Sequence, residues 1–307
     1  MSASRAGMGD AELAEGRAAE FEALRPQLFG AAYRVLGSVA DSEDAVQETW
    51  LRWASMDHDR ISDVRAYLLT AATRQALNRV RAQQSRREDY VGPWLPEPVA
   101  TEPDPAETVE LADSVSMAML VVLETLSPLE RAAFVLHDVF GLSFAEVAAT
   151  LDRSEAAARQ LASRARCHVQ SRRPLVVDRR RHEAVLGQFV EHLTSGDIDA
   201  FMALLAPDVV LVSDGGGLRR AALRPIHGRD KAVRWLVAVA NRPDVAGELR
   251  VEVASLNHGS ALRIYAGSEL DSVVFLTVED RGITAMHVVR NPEKLAHLLD
   301  AGPPSVA

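Results

Sequence analysis

Cysteine is nearly absent: Cys167 is the single one in 307 residues. One thiol closes no disulfide and completes no cysteine-based zinc site within a chain, so neither organises this fold, and a reducing cytoplasm is the expected compartment. Lysine is almost as scarce, since Lys231 and Lys294 are the only two and arginine fills every other basic position. No apolar run approaches the ~20 residues that span a bilayer, so no membrane partner is expected. The first residues, with Asp10, Glu12 and Glu15, do not follow the basic-then-apolar plan of a secretory signal, and residues 1–16 read as a disordered tail. Internal repeats and low-complexity tracts are missing too. What is present is ordinary for a globular chain: 48% hydrophobic and 25% charged residues with a net charge of −9, long enough for about two or three domains with cores of their own.

Three blocks separate along the chain. In residues 17–90, Phe21, Leu24, Leu28, Ala31, Ala32 and Val35 keep helical register before Gly37 ends the first helix. Asp41 is placed to cap a second helix bearing Ala45, Val46, Thr49, Trp50 and Trp53, and Asp63 to start a third over 64–81 or beyond. Pro93, Pro96, Pro98, Pro103 and Pro105 then forbid a helix and favour an extended linker, placed at residues 91–112. Residues 113–175 are helical again. Residues 180–301 mix helices at 183–194, 197–205, 231–240 and 292–299 with strands at 209–212, 249–256, 262–266, 273–278 and 284–289. That order predicts an α+β domain with a curved sheet wrapped around helices, followed by a short tail at 302–307.

Residues 126–169 carry the strongest local signal. Ser127-Pro128-Leu129-Glu130 and Ser143-Phe144-Ala145-Glu146 both have the Ser-x-x-Glu form of a capping box, in which hydroxyl and carboxylate each satisfy an orphan amide at a helix start. Phe144, Val147, Ala148 and Leu151 make one apolar stripe; Asp152-Arg153-Ser154 stops that helix and Ser154 can cap the next. The second helix turns Ala158, Leu161, Ala162 and Ala165 inward and spreads Arg159, Gln160, Ser163, Arg164 and Arg166 over its other faces. Arginine pairs with guanine and glutamine with adenine in a major groove, so this pair of helices suits DNA. A helical hairpin with a solvated arginine face has the same composition, and the pattern alone leaves both open. Charge favours DNA: from Arg153 to Arg181 nine arginines face only Glu155 and Asp178, and it is the local patch that attracts phosphate.

Asp41-Ser-Glu-Asp-Ala-Val-Gln-Glu-Thr-Trp-Leu-Arg-Trp53 resembles the second conserved region of bacterial extracytoplasmic-function (group IV) sigma factors, and the helix-turn-helix resembles their region four. Together the two cover residues 17–173. The resemblance implies a chain that binds core RNA polymerase at the beta-prime clamp and beta flap and directs it to promoter DNA. It puts Asp44, Gln47 and Glu48 on the clamp, and their i, i+3, i+4 spacing does place them on one helical face suited to a basic partner. It implies minus-ten contacts for Arg74, Asn78, Arg79 and Arg81, a polar stripe on the next helix. It implies minus-thirty-five contacts for Ser154, Arg159, Gln160, Ser163, Arg164 and Arg166. Many family members have Asn where Arg74 stands, a departure that bears on base choice.

Residues 180–301 resemble a SnoaL-like cone domain, so the whole is expected to be two all-α sigma domains followed by an α+β extension. Three strings resemble those of the sigma subgroup that carries such an extension, often called SigJ-type: Trp94-Leu95-Pro96-Glu97-Pro98, Asp214-Gly215-Gly216-Gly217 and Asn291-Pro292-Glu293-Lys294-Leu295. The subgroup usually has Lys and Asp where this chain has Leu218 and Glu293. The resemblance implies that the glycine loop and the final motif face the sigma core or linker, with Trp94 as an anchor, and that the extension regulates from within in place of a separate anti-sigma protein. On their residues alone the three glycines favour a tight strand-end turn over a phosphate cradle, because no helix with P-loop spacing follows. Cone domains also bind small apolar molecules or perform acid-base chemistry, which makes a small-molecule ligand possible and His227, His258, His287, Asp214 and Asp271 candidates. Their spacing forms no ligand box and no nucleophile–base pair, so the expectation is a non-enzyme without metal or cofactor.

Overall fold

The computed structural model describes residues 3–56, 61–101, 116–172, 178–240 and 249–300. Residues 102–115, which hold Pro103, Pro105 and the expected start of the second helical block, lie outside the described residues, as do 173–177, residue 301 and the expected tail at 302–307. The chain divides into two compact units, Met1–Ser85 with Val122–Ser171, and Arg86–Val121 with Arg172–Ala307.

The first unit is helical. It holds α1 (Ala3–Leu36), α2 (Val39–Ser55), most of α3 (Val64–Glu88), the end of α4 (Met117–Glu124), α5 (Pro128–Phe134), α6 (Phe144–Leu151) and α7 (Glu155–Arg172). Helix α1 runs back to Ala3, through the segment expected to be a disordered tail. Ala11, Ala14, Ala18 and Ala19 among Glu12, Glu15 and Glu20 are strong helix formers with no proline between them, so the helix propagates toward the N-terminus. The cap of α2 is Ser38 and not Asp41: the Ser38 hydroxyl accepts from Asp41 N at 3.4 Å. Asp41 therefore sits in the first turn, where its charge meets the positive end of the helix dipole. Asp63 caps α3 as expected, accepting from Ala66 N at 2.9 Å.

The expected capping boxes at Ser127/Glu130 and Ser143/Glu146 are both closed. Ser154 accepts from Ala157 N at 3.2 Å, and Asp152 turns the chain between α6 and α7 at a φ of 54°. Val147, Ala148 and Leu151 of α6 are buried, as are Ala158, Leu161, Ala162 and Ala165 of α7. Between α5 and α6 the backbone widens into a π-helical turn, Val135–Val139. Arg131 of α5 is buried and ties this part together, donating to Val35 O of α1 at 2.7 Å and to the Glu124 carboxylate at 2.8 and 3.1 Å.

The second unit is α+β. Helices α8 (Arg179–Ser195), α9 (Ile198–Leu204) and α10 (Arg229–Ala240) accompany six strands: β1 (Leu205–Asp214), β2 (Ile226–His227), β3 (Leu249–Leu256), β4 (Gly259–Ala266), β5 (Glu269–Glu279) and β6 (Gly282–Val289). The strands lie in the order β2-β1-β6-β5-β4-β3. The expected antiparallel meander is β3 to β6, and β1 joins it by a parallel pairing with β6. The helix expected over 292–299 is two short ones, α11 (Pro292–Leu295) and α12 (His297–Asp300). Leu186, Phe189, Phe201 and Ala232 cover one face of the sheet, against Leu211, Val274, Leu276 and Met286. Leu95 and Met117 from the linker side, with Leu295 and Leu298, cover the other, against Val273, Phe275 and Val289. Burial on both faces explains the apolar run Val273–Leu276 in β5, which a half-exposed strand would interrupt with polar residues.

Candidate functional site

Strands β1 and β6 run parallel and end together, which sets the last residue of β1 beside the turn leaving β6. There Arg290 N and Asn291 N donate to Asp214 O at 2.7 and 3.0 Å. The Asp214 side chain is fully buried, and a buried carboxylate is tolerable only when donors surround it. Four do. Oδ1 accepts from the Tyr90 hydroxyl at 2.5 Å and Gly216 N at 3.1 Å; Oδ2 accepts from Leu95 N at 2.8 Å and Lys294 Nζ at 2.7 Å. Lys294, itself 3% exposed, donates also to Leu95 O at 2.5 Å and lies over the Trp94 ring at 3.1 Å and the Tyr90 ring at 5.1 Å. Its ammonium is thus held by one carboxylate, one carbonyl and two aromatic faces. Burial first, and then donation to Asp214, pushes the Tyr90 hydroxyl well above the ordinary tyrosine range and keeps it a donor.

The three strings read from the sequence therefore meet in one place. Asn291 links them, donating to the Tyr90 oxygen at 3.0 Å while its Oδ1 accepts from Glu293 N at 3.0 Å and caps α11. The glycines form the tight turn: Leu218 N and Arg219 N both donate to Gly215 O at 3.0 Å. A Cβ on Gly215 would collide with Arg219 O, and one on Gly216, whose φ is 59°, with the Asn291 side chain. Of the two departures, Leu218 and Glu293 are both exposed, and the neighbouring Arg219 pairs with Glu269. Pro96 and Pro98 are buried, Glu97 is half-buried, and the linker continues along the edge of β3. His297 Nε2 meets Pro98 O at 2.6 Å, Val99 and Asn257 exchange hydrogen bonds of 2.8 and 3.0 Å, and Ala100 bridges Leu256. Tyr90, Asn257 and His297 were missed in the sequence. The one available signal was an aromatic, Tyr90, four residues before Trp94.

The five acid-base candidates are not gathered. Asp214 is held by Lys294, and Asp271 pairs at 2.6 Å with buried Arg290, which also donates to Arg220 O. His287 lies between Val212 and Phe275 on neighbouring strands, and burial pushes its imidazole down to about 4. His227 is on the two-residue strand β2, and His258 is in the β3–β4 turn, its amide donating to Thr101.

In the first unit Asp44, Gln47 and Glu48 are all exposed on one face of α2, as their spacing requires. Leu51, one further turn along, is 61% exposed and extends the same stripe with an apolar residue that the sequence reading had not included. The polar stripe of α3 divides. Asn78 and Arg81 stay exposed beside each other, 3.4 Å apart. Arg79 turns to α2, its guanidinium 3.1 Å from Asp44, 2.6 Å from Glu48 and 3.5 Å from Asp41. Arg74 reaches the end of α6 and donates to Thr150 O at 3.2 Å and to Ala149 O, carbonyls at the negative end of that helix. The Thr150 hydroxyl meets that of Thr70 at 3.2 Å.

On α7, Gln160 and Ser163 are exposed, and three arginines have acidic neighbours: Arg159 with Glu155 at 3.0 Å, Arg164 with Glu130 at 2.8 Å, Arg166 with Asp138 at 2.6 Å. Arg159 also lies over the Phe144 ring at 4.7 Å. Arg164, followed by the Ser127 hydroxyl, holds the Glu130 carboxyl below its ordinary value. Ser154, expected as a contact, is engaged as the cap of α7.

Residues 21–86 match the family model described as Sigma-70 region 2, and residues 116–169 match Sigma-70, region 4. The chain is similar to the ECF RNA polymerase sigma factor SigJ of Mycobacterium tuberculosis, with 42% identity over 90% of this chain and 92% of that protein. It is similar also to the probable ECF RNA polymerase sigma factor SigI of the same organism, 31% identical over 90% of this chain and 94% of the relative. The crystal structure of M. tuberculosis SigJ matches with a TM-score of 0.72 at 39% identity, covering 91% of this chain and 98% of that one.

Proposed function

The chain belongs to the extracytoplasmic-function RNA polymerase sigma factors, and from that premise we propose how its parts divide the work. The α2 face of Asp44, Gln47, Glu48 and Leu51 meets the beta-prime clamp, with the carboxylates taking basic groups and Leu51 an apolar one. Region four meets the beta flap and presents α7 to the minus-thirty-five element. Gln160 and Ser163 are free to read base edges, while Arg159, Arg164 and Arg166 exchange their carboxylate partners for phosphate or guanine. Asn78 and Arg81 meet the minus-ten strand, and Arg74 joins them once it leaves the end of α6. The work is binding and positioning, done in the cytoplasm where polymerase acts; among the described residues no helix is long and apolar enough to cross a membrane.

We propose further that the α+β unit is a fused regulator standing in place of a separate anti-sigma protein. The observation that supports this is the docking of the linker at both of its polar faces, with Leu95 N and O bound by Asp214 and Lys294. The linker is the covalent tether between region two and region four. Holding residues 90–101 on the sheet withdraws a stretch whose extended length is about 40 Å, and that tether length governs where region four stands on a promoter whose minus-ten element region two holds. Run-off transcription with core polymerase tests the reading: the whole chain, a chain ending at Arg173, and a Lys294→Ala variant are compared at one polymerase concentration. Changed promoter output in both altered chains is expected. Identical output from all three would leave the extension without a regulatory role.

A further inference from the structure

We propose that Arg79 is a positioning residue of the polymerase-contact face, an internal competitor for its carboxylates, and not a promoter contact. The proposal rests on Asp44 and Glu48 being polymerase contacts. Arg79 follows Asn78 by one residue, which on a helix is a rotation of about 100°, enough to carry it from the exposed edge of α3 to the side packed on α2. There a single guanidinium spans Asp44 at 3.1 Å, Glu48 at 2.6 Å and Asp41 at 3.5 Å. Its side chain is 24% exposed, against 57% for Asp44 and 47% for Glu48. Its Nε is buried and, among the described residues, has no hydrogen-bond acceptor, so the group is committed to the α2 side through both Nη atoms. One turn earlier on α3, Gln75 extends the same arrangement. With its amide turned so that both atoms are satisfied, it donates to Glu48 at 3.1 Å and accepts from Arg52.

A basic group of the polymerase reaching Asp44 and Glu48 must therefore substitute itself for Arg79. The exchange is possible because the carboxylates are half in water, where such pairs are weak. Without Arg79 the face carries one more uncompensated negative charge, and attraction to a basic partner grows with a steeper dependence on salt. Lysine at the same place restores the charge, though not the forked geometry that spans two carboxylates.

Binding of the full-length chain to core polymerase, measured at low and high salt, tests this. Arg79→Ala is expected to bind core polymerase about threefold more tightly or better at low salt, with the gain disappearing at high salt. Arg79→Lys is expected near the parent value, and preassembled holoenzyme carrying Arg79→Ala is expected to bind single-stranded minus-ten DNA unchanged. In the background Asp44→Asn with Glu48→Gln, the Arg79→Ala gain should vanish. Weaker minus-ten binding with unaltered core affinity would return Arg79 to the promoter. Core affinity unchanged or lowered by Arg79→Ala, while the neutral double variant loses polymerase, would overturn the competitor role alone. If the neutral double variant binds core polymerase like the parent, the underlying assignment of the face fails instead.

Discussion

The carboxylates of α2 and the carboxylate of Asp214 are both paired with cations, but they stand in different solvents. Asp44 and Glu48 are about half exposed, and so is Arg164 opposite Glu130. Asp214 and Lys294 are sealed, as are Asp271 and Arg290. In water a pair is worth at most about 1 kcal/mol, because the charges lose little when they separate. In the interior, removing one partner strands the other away from water and costs about 3–5 kcal/mol. The difference teaches which charges can be handed to a partner. The helical unit keeps the charges of α2 and α7 exchangeable, as a surface destined for polymerase and DNA requires, and the α+β unit, beside exposed pairs such as Arg281 with Asp208, uses the buried pair Asp214–Lys294 to hold the linker. Arg131 of the helical unit is buried against Glu124 and built like the buried pairs of the other.

The comparison breaks if the buried pairs prove cheap. Lys294→Ala should destabilise the α+β unit by about 3–5 kcal/mol in urea denaturation, since Asp214 remains buried with its charge. Replacing both partners by apolar residues should cost less than either single change, and a loss under about 1 kcal/mol for Lys294→Ala would place the pair among the exchangeable ones. Arg131→Met should cost about 3 kcal/mol by the same reasoning, read from thermal or urea unfolding of the helical unit.

A third test uses pH. His287 titrates near 4 when folded and at 6.5 when unfolded, so the unfolded chain binds the proton first as pH falls. Its contribution is complete above pH 6.5, declines between 6.5 and about 4, and then levels off. The span corresponds to about 3 kcal/mol, and His287→Phe should flatten stability over that window when urea midpoints are compared. The smallest effect is expected at Arg164. Arg164→Ala should change stability by less than about 1 kcal/mol at neutral pH. Glu130, with its folded value lowered, contributes stability that is full above its unfolded value of 4.5 and is lost as pH falls through the folded one. Arg164→Ala should weaken that acid-side dependence, and a midpoint that falls as steeply with acid in the variant as in the parent would separate Glu130 from Arg164.

Much of the helical unit was legible because its signals are short. The boxes at Ser127/Glu130 and Ser143/Glu146, the caps at Asp63 and Ser154, and the stripe through Val147, Ala148 and Leu151 each involve residues a few positions apart. The cap at Ser38 was misplaced to Asp41, because both types cap and three residues separate them. The four-residue stripe of α3 was legible as a stripe, while its partners within the chain were not: Arg79 pairs with α2, exposed Arg74 bonds the end of α6, and Asn78 and Arg81 stay exposed beside each other. The meander was legible strand by strand, while the parallel joining of β1 to β6 was not.

The sequence by itself determined that capping boxes at Ser127 and Ser143 start helices, which helical faces are apolar, and which residues carry charge. Those properties are written in periods of two and of about three to four residues. The tertiary structure alone decided which partner each charge has. Lys294 meets Leu95 across 199 positions, Tyr90 meets Asp214 across 124, and Arg79 meets Glu48 across 31. No local rule selects among carboxylates so far apart. Packing does, by choosing which of them to bury, and burial turns one ion pair into a clasp and leaves another free for exchange.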